Sequence, residues 1–67
     1  MENKQHICDL LLPALQATRG LSDLMSLDYD RDAEIVIATF TSGYSKTANV
    51  AMDSGTAMIY DIMKQIT

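Results

Sequence analysis

The sequence predicts a two-layer α+β domain, ordered helix, three-stranded antiparallel meander, helix. Three observations carry this. Apolar residues recur at steps of three and four near both ends of the chain, the period of an amphipathic helix. Between them, IVIATF (residues 35–40) is an unbroken β-branched and aromatic run. A polar glycine turn, TSGYS, and a second arm, YSKTANVA, follow it directly, which is the pattern of a hairpin. Two helices on one side of such a meander make a two-layer unit.

The first helix is expected within NKQHICDLLLPALQATRG, residues 3–20. Ile7, Leu11, Ala14 and Thr18 fall on one stripe, Cys8, Leu12 and Leu15 on the next, and Leu10 lies beside them, so the apolar face is wide. Arg19 and Gly20 read as its stop, a cation for the helix end and a C′ glycine. Pro13 interrupts the pattern. It removes one hydrogen bond and crowds the carbonyl of Asp9, so a kink or a fresh helix start is expected there.

In LSDLMSLDYDRDAE, Met25, Leu27 and Tyr29 alternate with Ser26, Asp28 and Asp30. Period two predicts a short first strand over about residues 24–29 and then a turn at Asp30-Arg31-Asp32-Ala33. Alternatively, the whole stretch is an irregular acidic loop. The second strand is apolar on both faces, Ile35 and Ile37 on one, Val36, Ala38 and Phe40 on the other, as for a strand covered on both sides. Loop length decides which face joins the core, because a one-residue change flips every side chain. A two-residue loop sets Ile35 and Ile37 with Ala48 and Val50. A three-residue loop, Thr41-Ser42-Gly43 with Gly43 at positive φ in a bulge, sets Val36, Ala38 and Phe40 with them instead. The polar residue before Gly43 suits the second arrangement. It leaves Ile35 and Ile37 on the opposite face, to be covered by something else.

The last helix is expected over about residues 54–65. Met58, Ile59, Ile62, Met63 and Ile66 form one stripe, and Met58 and Met63 read as core. Asp61 and Lys64 lie off the stripe at a spacing that permits an ion pair.

Bulk properties narrow the function. A chain of 67 residues is one domain, and it buries only about 60% of its unfolded surface. Domains of this size usually need a disulfide, a metal or a partner. The single cysteine excludes an internal disulfide, and Cys8 with His6 cannot make a zinc site, so a partner or self-association is the remaining support. The net charge is −4, and Lys4, Arg19, Arg31, Lys46 and Lys64 are scattered, which argues against direct nucleic-acid binding. No apolar run reaches the ~20 residues of a membrane span, and the N-terminus does not read as a secretion signal. A cytoplasmic protein with one free thiol is expected.

Four groups of residues could carry function. Asp23, Asp28, Asp30, Asp32 and Glu34 put five of the nine acids within twelve residues, an acidic edge suited to a basic partner. Their alternation resembles a calcium loop, but Ala33 and Thr39 stand where its glycine and bidentate acid belong. Ile35 and Ile37 form a candidate self-association face. Asp53, Ser54 and Gly55 open the last helix, where a cap or an anion can take the free N–H groups. Asp53 places a negative charge where the anion would sit, so capping is the preferred reading. No base stands within sequence reach of Ser54 as a nucleophile. Last, Tyr29, Tyr44 and Tyr60 suit an interface rim rather than a base-stacking platform. Cys8 reads as a small core residue and His6 as a surface one.

The run VIATFTSGYSKTANVAMDSGTAMIYDI, residues 36–62, resembles short uncharacterised proteins of Firmicutes phages and mobile elements. The matching residues are Val36, Ala38, Phe40, Gly43, Tyr44, Asn49, Val50, Asp53 and Ser54. The resemblance implies a small α+β unit and a setting on a mobile element, and it brings no activity.

The combined expectation is a non-enzymatic protein-binding module that self-associates, most simply as a homodimer, without cofactor or metal. Two alternatives stand beside it. One is an acidic inhibitor that mimics nucleic acid on a host enzyme. The other is a small-molecule binder that uses the corner at Asp53 to Thr56 at a dimer seam.

Overall fold

The first helix begins where Asn3 can cap it. In the computed structural model, which describes residues 3–67, the Asn3 side chain accepts from His6 N at 3.0 Å and α1 runs over Lys4–Gln16. It passes through Pro13 without a break, so the fresh start expected there does not occur. Pro13 and Asp9 are both exposed, and water can satisfy the carbonyl of Asp9 that the proline leaves without a partner. The predicted stop at Gly20 is also corrected. The helix closes earlier, at Ala17, because the N–H and the hydroxyl of Thr18 both bond back to Leu15 O, at 3.0 and 2.6 Å. Gly43 is the one glycine with positive φ among the described residues.

Three strands follow, β1 (Leu24–Asp30), β2 (Ile35–Phe40) and β3 (Ser45–Asn49), in an antiparallel sheet of order β1-β2-β3. The first strand is therefore a strand and not an acidic loop. Asp30 Oδ1 accepts from Asp32 N and Ala33 N, at 3.0 and 3.2 Å, and this side-chain bridge shapes the turn into β2. Glu34 closes that turn at φ 55°.

The β2–β3 hairpin has the three-residue loop. Val36 pairs with Ala48, Ala38 with Lys46, and Phe40 N donates to Tyr44 O at 2.8 Å. Gly43 sits at φ 88°, and its N–H donates to Phe40 O. The inward face of β2 is therefore Val36, Ala38 and Phe40, with Ala48 of β3 and Val50 just beyond. In β1 the alternation breaks once. A bulge between Leu24 and Ser26 turns Met25 outward and Leu24 into the core, so Met25 does not share the face of Leu27.

Helix α2 spans Gly55–Ile66 behind an Ser54 N-cap whose hydroxyl accepts from Ala57 N. Its buried stripe is Met58, Ile62 and Ile66. Met63, expected in the core, stands 46% exposed at the margin of this stripe. Both helices lie on one face of the sheet. Cys8 and Leu15 of α1, the α2 stripe, Leu24, Leu27 and the inward residues of β2 and β3 form one cluster. Each large side chain fully buried there stabilises the fold by about 1.5–3 kcal/mol relative to exposure. The result is a two-layer α+β fold, as the sequence predicts. No helix among the described residues is long and apolar enough to cross a membrane.

Candidate functional site

The strand period that sends Val36 and Ala38 inward sends Ile35 and Ile37 to the other side. There they pair with Asp30 and Asp28 of β1, and with Asn49 and Thr47 of β3. Ser26, Thr39 and Ser45 complete the same face. Both isoleucines are half-buried, sheltered by their cross-strand neighbours, while Asp28, Thr47 and Asn49 are exposed. Both helices pack on the opposite face, so this one is left to solvent. The structure thus merges two groups that the sequence presents separately, the isoleucine face and part of the acidic edge.

The acidic edge itself divides. Asp28 and Asp30 flank the isoleucines, and Asp32 and Glu34 occupy the adjacent turn. Asp30 is engaged in holding that turn. Asp23 lies at the far end of β1, where its carbonyl accepts from Thr41 N at 3.0 Å. It belongs with the hairpin end of the molecule and not with the other four acids.

The free edges of the sheet are the feature the sequence does not disclose. An edge strand presents unpaired N–H and C=O groups that can recruit another strand. Here glutamines from the helices reach round and bond some of them. On β1, Tyr29 N donates to Gln5 Oε1 at 2.8 Å, Gln5 Nε2 donates to Leu27 O at 3.3 Å, and Gln16 Nε2 donates to Leu24 O at 2.8 Å. On β3, Asn49 N donates to Gln65 Oε1 at 2.9 Å and Gln65 Nε2 donates to Asn49 O at 3.3 Å. Gln5 also donates to Asp9 Oδ1 at 2.8 Å, which fixes its amide. No local pattern marks these three residues, because each acts on a strand distant in sequence.

At the helix corner, Ser54 is the cap and Gly55 is buried as the first residue of α2. Asp53 carries a carboxyl raised above its ordinary 3.8, chiefly by a hydrogen bond with Asp61, then by burial and by the charge of Asp61, against a smaller pull from Lys4. Two carboxylates can hydrogen-bond to each other only through a proton. Asp53 Oδ2 is shut from solvent and has no hydrogen-bond partner among the described residues. The corner therefore gathers negative charge, which disfavours an anion there. Asp61 faces Asp53, and Lys64 instead lies 6.0 Å from the ring centre of Tyr60.

Cys8 is free and buried, its thiol pushed up to about 11 by burial, then by Asp9 and Asp28. At neutral pH it is a thiol and a poor nucleophile. His6 is exposed on α1. No group of three or more His, Cys, Asp or Glu side chains among the described residues could hold a metal ion.

The fold and these surfaces define a small α+β unit with an open sheet face and partly bonded sheet edges. Comparison with known proteins finds no match to the chain, whether among family models, curated proteins or solved structures. The functional reading accordingly rests on the residues and their arrangement.

Proposed function

We propose that the chain is a protein-binding module that associates with a second copy of itself through the outer sheet face. The observation that supports this most directly is the pair Ile35 and Ile37, side by side in the central strand, on a face that carries no helix. The glutamine bonds support the same choice, because they occupy part of each edge and so hinder strand addition as the competing route.

Charge selects an arrangement. A two-fold axis perpendicular to the strands would set β1 over its own copy, with Asp28 against Asp28. A two-fold axis along β2 sets β1 over the partner's β3, so the carboxylates meet threonine and asparagine. Three short strands give a footprint of roughly 300 Å², well below the ~800 Å² per partner of a standard interface. The association is thus expected to be weak and concentration-dependent.

A second reading keeps the acids as the business end. Asp28, Asp32 and Glu34 are exposed at one end of the sheet, with Arg31 the one cation in that turn. Such a cluster would suit the basic groove of a nucleic-acid enzyme, in the manner of a mobile-element inhibitor.

One experiment separates the two. Light scattering behind size exclusion, over a wide concentration series, should give a molar mass that climbs from monomer toward dimer. Ile35→Thr with Ile37→Thr should hold the chain monomeric while its circular dichroism is unchanged. Asp28→Asn with Asp32→Asn should leave association intact or strengthen it. A wild-type chain that stays monomeric at millimolar concentration sinks the first reading. Salt-sensitive binding to a basic enzyme that this Asp double variant loses would then favour the second.

A further inference from the structure

We propose that the cavity between the C-terminal ends of the two helices is a binding site for a small apolar amine. The cavity holds about 440 Å³, within the ~300–1,000 Å³ of small-ligand sites. It opens where α1 ends, where α2 ends and where the β2–β3 hairpin turns. Its walls are apolar, made chiefly by Leu15, Leu21, Phe40 and Ile66, with Met63 and Tyr44 at the mouth. Met63 and Tyr44, both exposed, are the two large exposed hydrophobic side chains that line it.

The polar groups decide the ligand's charge. Lys46 lines the cavity, but its Nζ donates to Ile66 O at 3.3 Å, so its charge already answers the negative end of α2. Asp23 also lines it, and its carboxylate accepts no hydrogen bond among the described residues. The bond from Thr41 N to Asp23 O anchors the residue's backbone beside the mouth. The last turn of α1 contributes Leu15, and helix ends of this polarity favour a cation. Phe40 and Tyr44, with ring centres 6.0 Å apart, add two aromatic faces that attract an ammonium. An apolar body with one amine therefore matches the site, and a carboxylate would face Asp23. Asp23, separated from the other acids by the fold, acquires a role of its own.

The test is a chemical-shift titration of the full chain with three matched probes, 4-phenylbutylamine, 4-phenylbutanol and 4-phenylbutyrate. The amine should bind most tightly and the acid least, with shifts centred on Leu21, Tyr44 and Ile66. Asp23→Asn should weaken the amine roughly two- to fivefold, the scale of one exposed ion pair, and leave the alcohol unchanged. Gly20 lines the cavity, and a Cβ there would meet nothing within 4 Å, so Gly20→Leu should fold normally and exclude all three probes. The proposal is overturned if the acid binds as well as the amine, if no probe shifts these residues at millimolar concentration, or if folded Gly20→Leu still binds.

Discussion

The two faces of the sheet are built from adjacent residues of one strand and differ in almost every respect. Val36 and Ala38 are fully buried under two helices, among Leu27, Ala48, Met58 and Ile62. Ile35 and Ile37 are half-buried among Asp28, Asp30, Thr47 and Asn49. The side chains of β2 are apolar on both faces, yet only one face has an apolar environment. The inner face carries the core, and the outer face keeps apolar surface that no helix covers.

The largest expected effect tests that contrast within one strand. Threonine keeps the β-branched shape of valine but brings a hydroxyl that needs a partner. Val36→Thr buries that hydroxyl in the core and should cost about 1–3 kcal/mol. Ile37→Thr, one residue on, places its hydroxyl beside Thr47 and Asp28 and should cost less than about 1 kcal/mol. Urea unfolding of both variants at a concentration where the chain is monomeric gives the comparison. Equal losses would mean that the outer face is as structural as the inner one, and the case for an interface there would fail.

This contrast was legible in part from the residues alone. Gly43 after two polar residues signals the three-residue loop, and the loop fixes which half of β2 faces inward. Ser54 before the Met58–Ile62–Ile66 stripe signals α2 in the same local way. What is not legible depends on long-range geometry. The bulge at Met25 arises from pairing with Phe40 and Thr39, and simple alternation hides it. The end of α1 is decided by Thr18 folding back on Leu15 and not by the more conspicuous Gly20. Glu34 and Met52 take positive φ without the glycine or asparagine that usually marks it. Asp23 is near Asp28 in sequence, but the length of β1 separates them in space.

The edges provide the next contrast, between backbone that is bonded and backbone that is open. Gln5→Ala removes two of the three bonds to the β1 edge, at Tyr29 and Leu27, and leaves the one from Gln16 to Leu24, while Gln65→Ala removes both at Asn49. Each bond lost to water should cost about 0.5–1.5 kcal/mol. The more telling result is the mode of association. The double variant should form assemblies larger than a dimer, which bind thioflavin and survive Ile35→Thr with Ile37→Thr. Wild type should form none. If the double variant assembles no further than wild type, the glutamines are incidental and the choice of face over edge loses its support.

The smallest expected effect concerns two carboxyl groups set together, Asp53 just before α2 and Asp61 within it. Asp53 holds its proton more tightly folded than unfolded, chiefly through hydrogen bonding with Asp61, then through burial and the charge of Asp61. Below the ordinary carboxylate range the proton is present in both states and the pair contributes its full hydrogen bond. As pH rises through the raised folded value the proton leaves, the bond is lost and the two charges repel, with Lys4 offsetting part of that repulsion. The pair therefore lowers stability progressively from about pH 4 upward. Asp61→Asn supplies an amide N–H to Asp53 without needing a proton. Its melting temperature should match that of wild type near about pH 3 and exceed it at neutral pH. A difference that does not vary with pH would show that no proton is shared, and that Asp53 meets Asp61 as a simple surface neighbour.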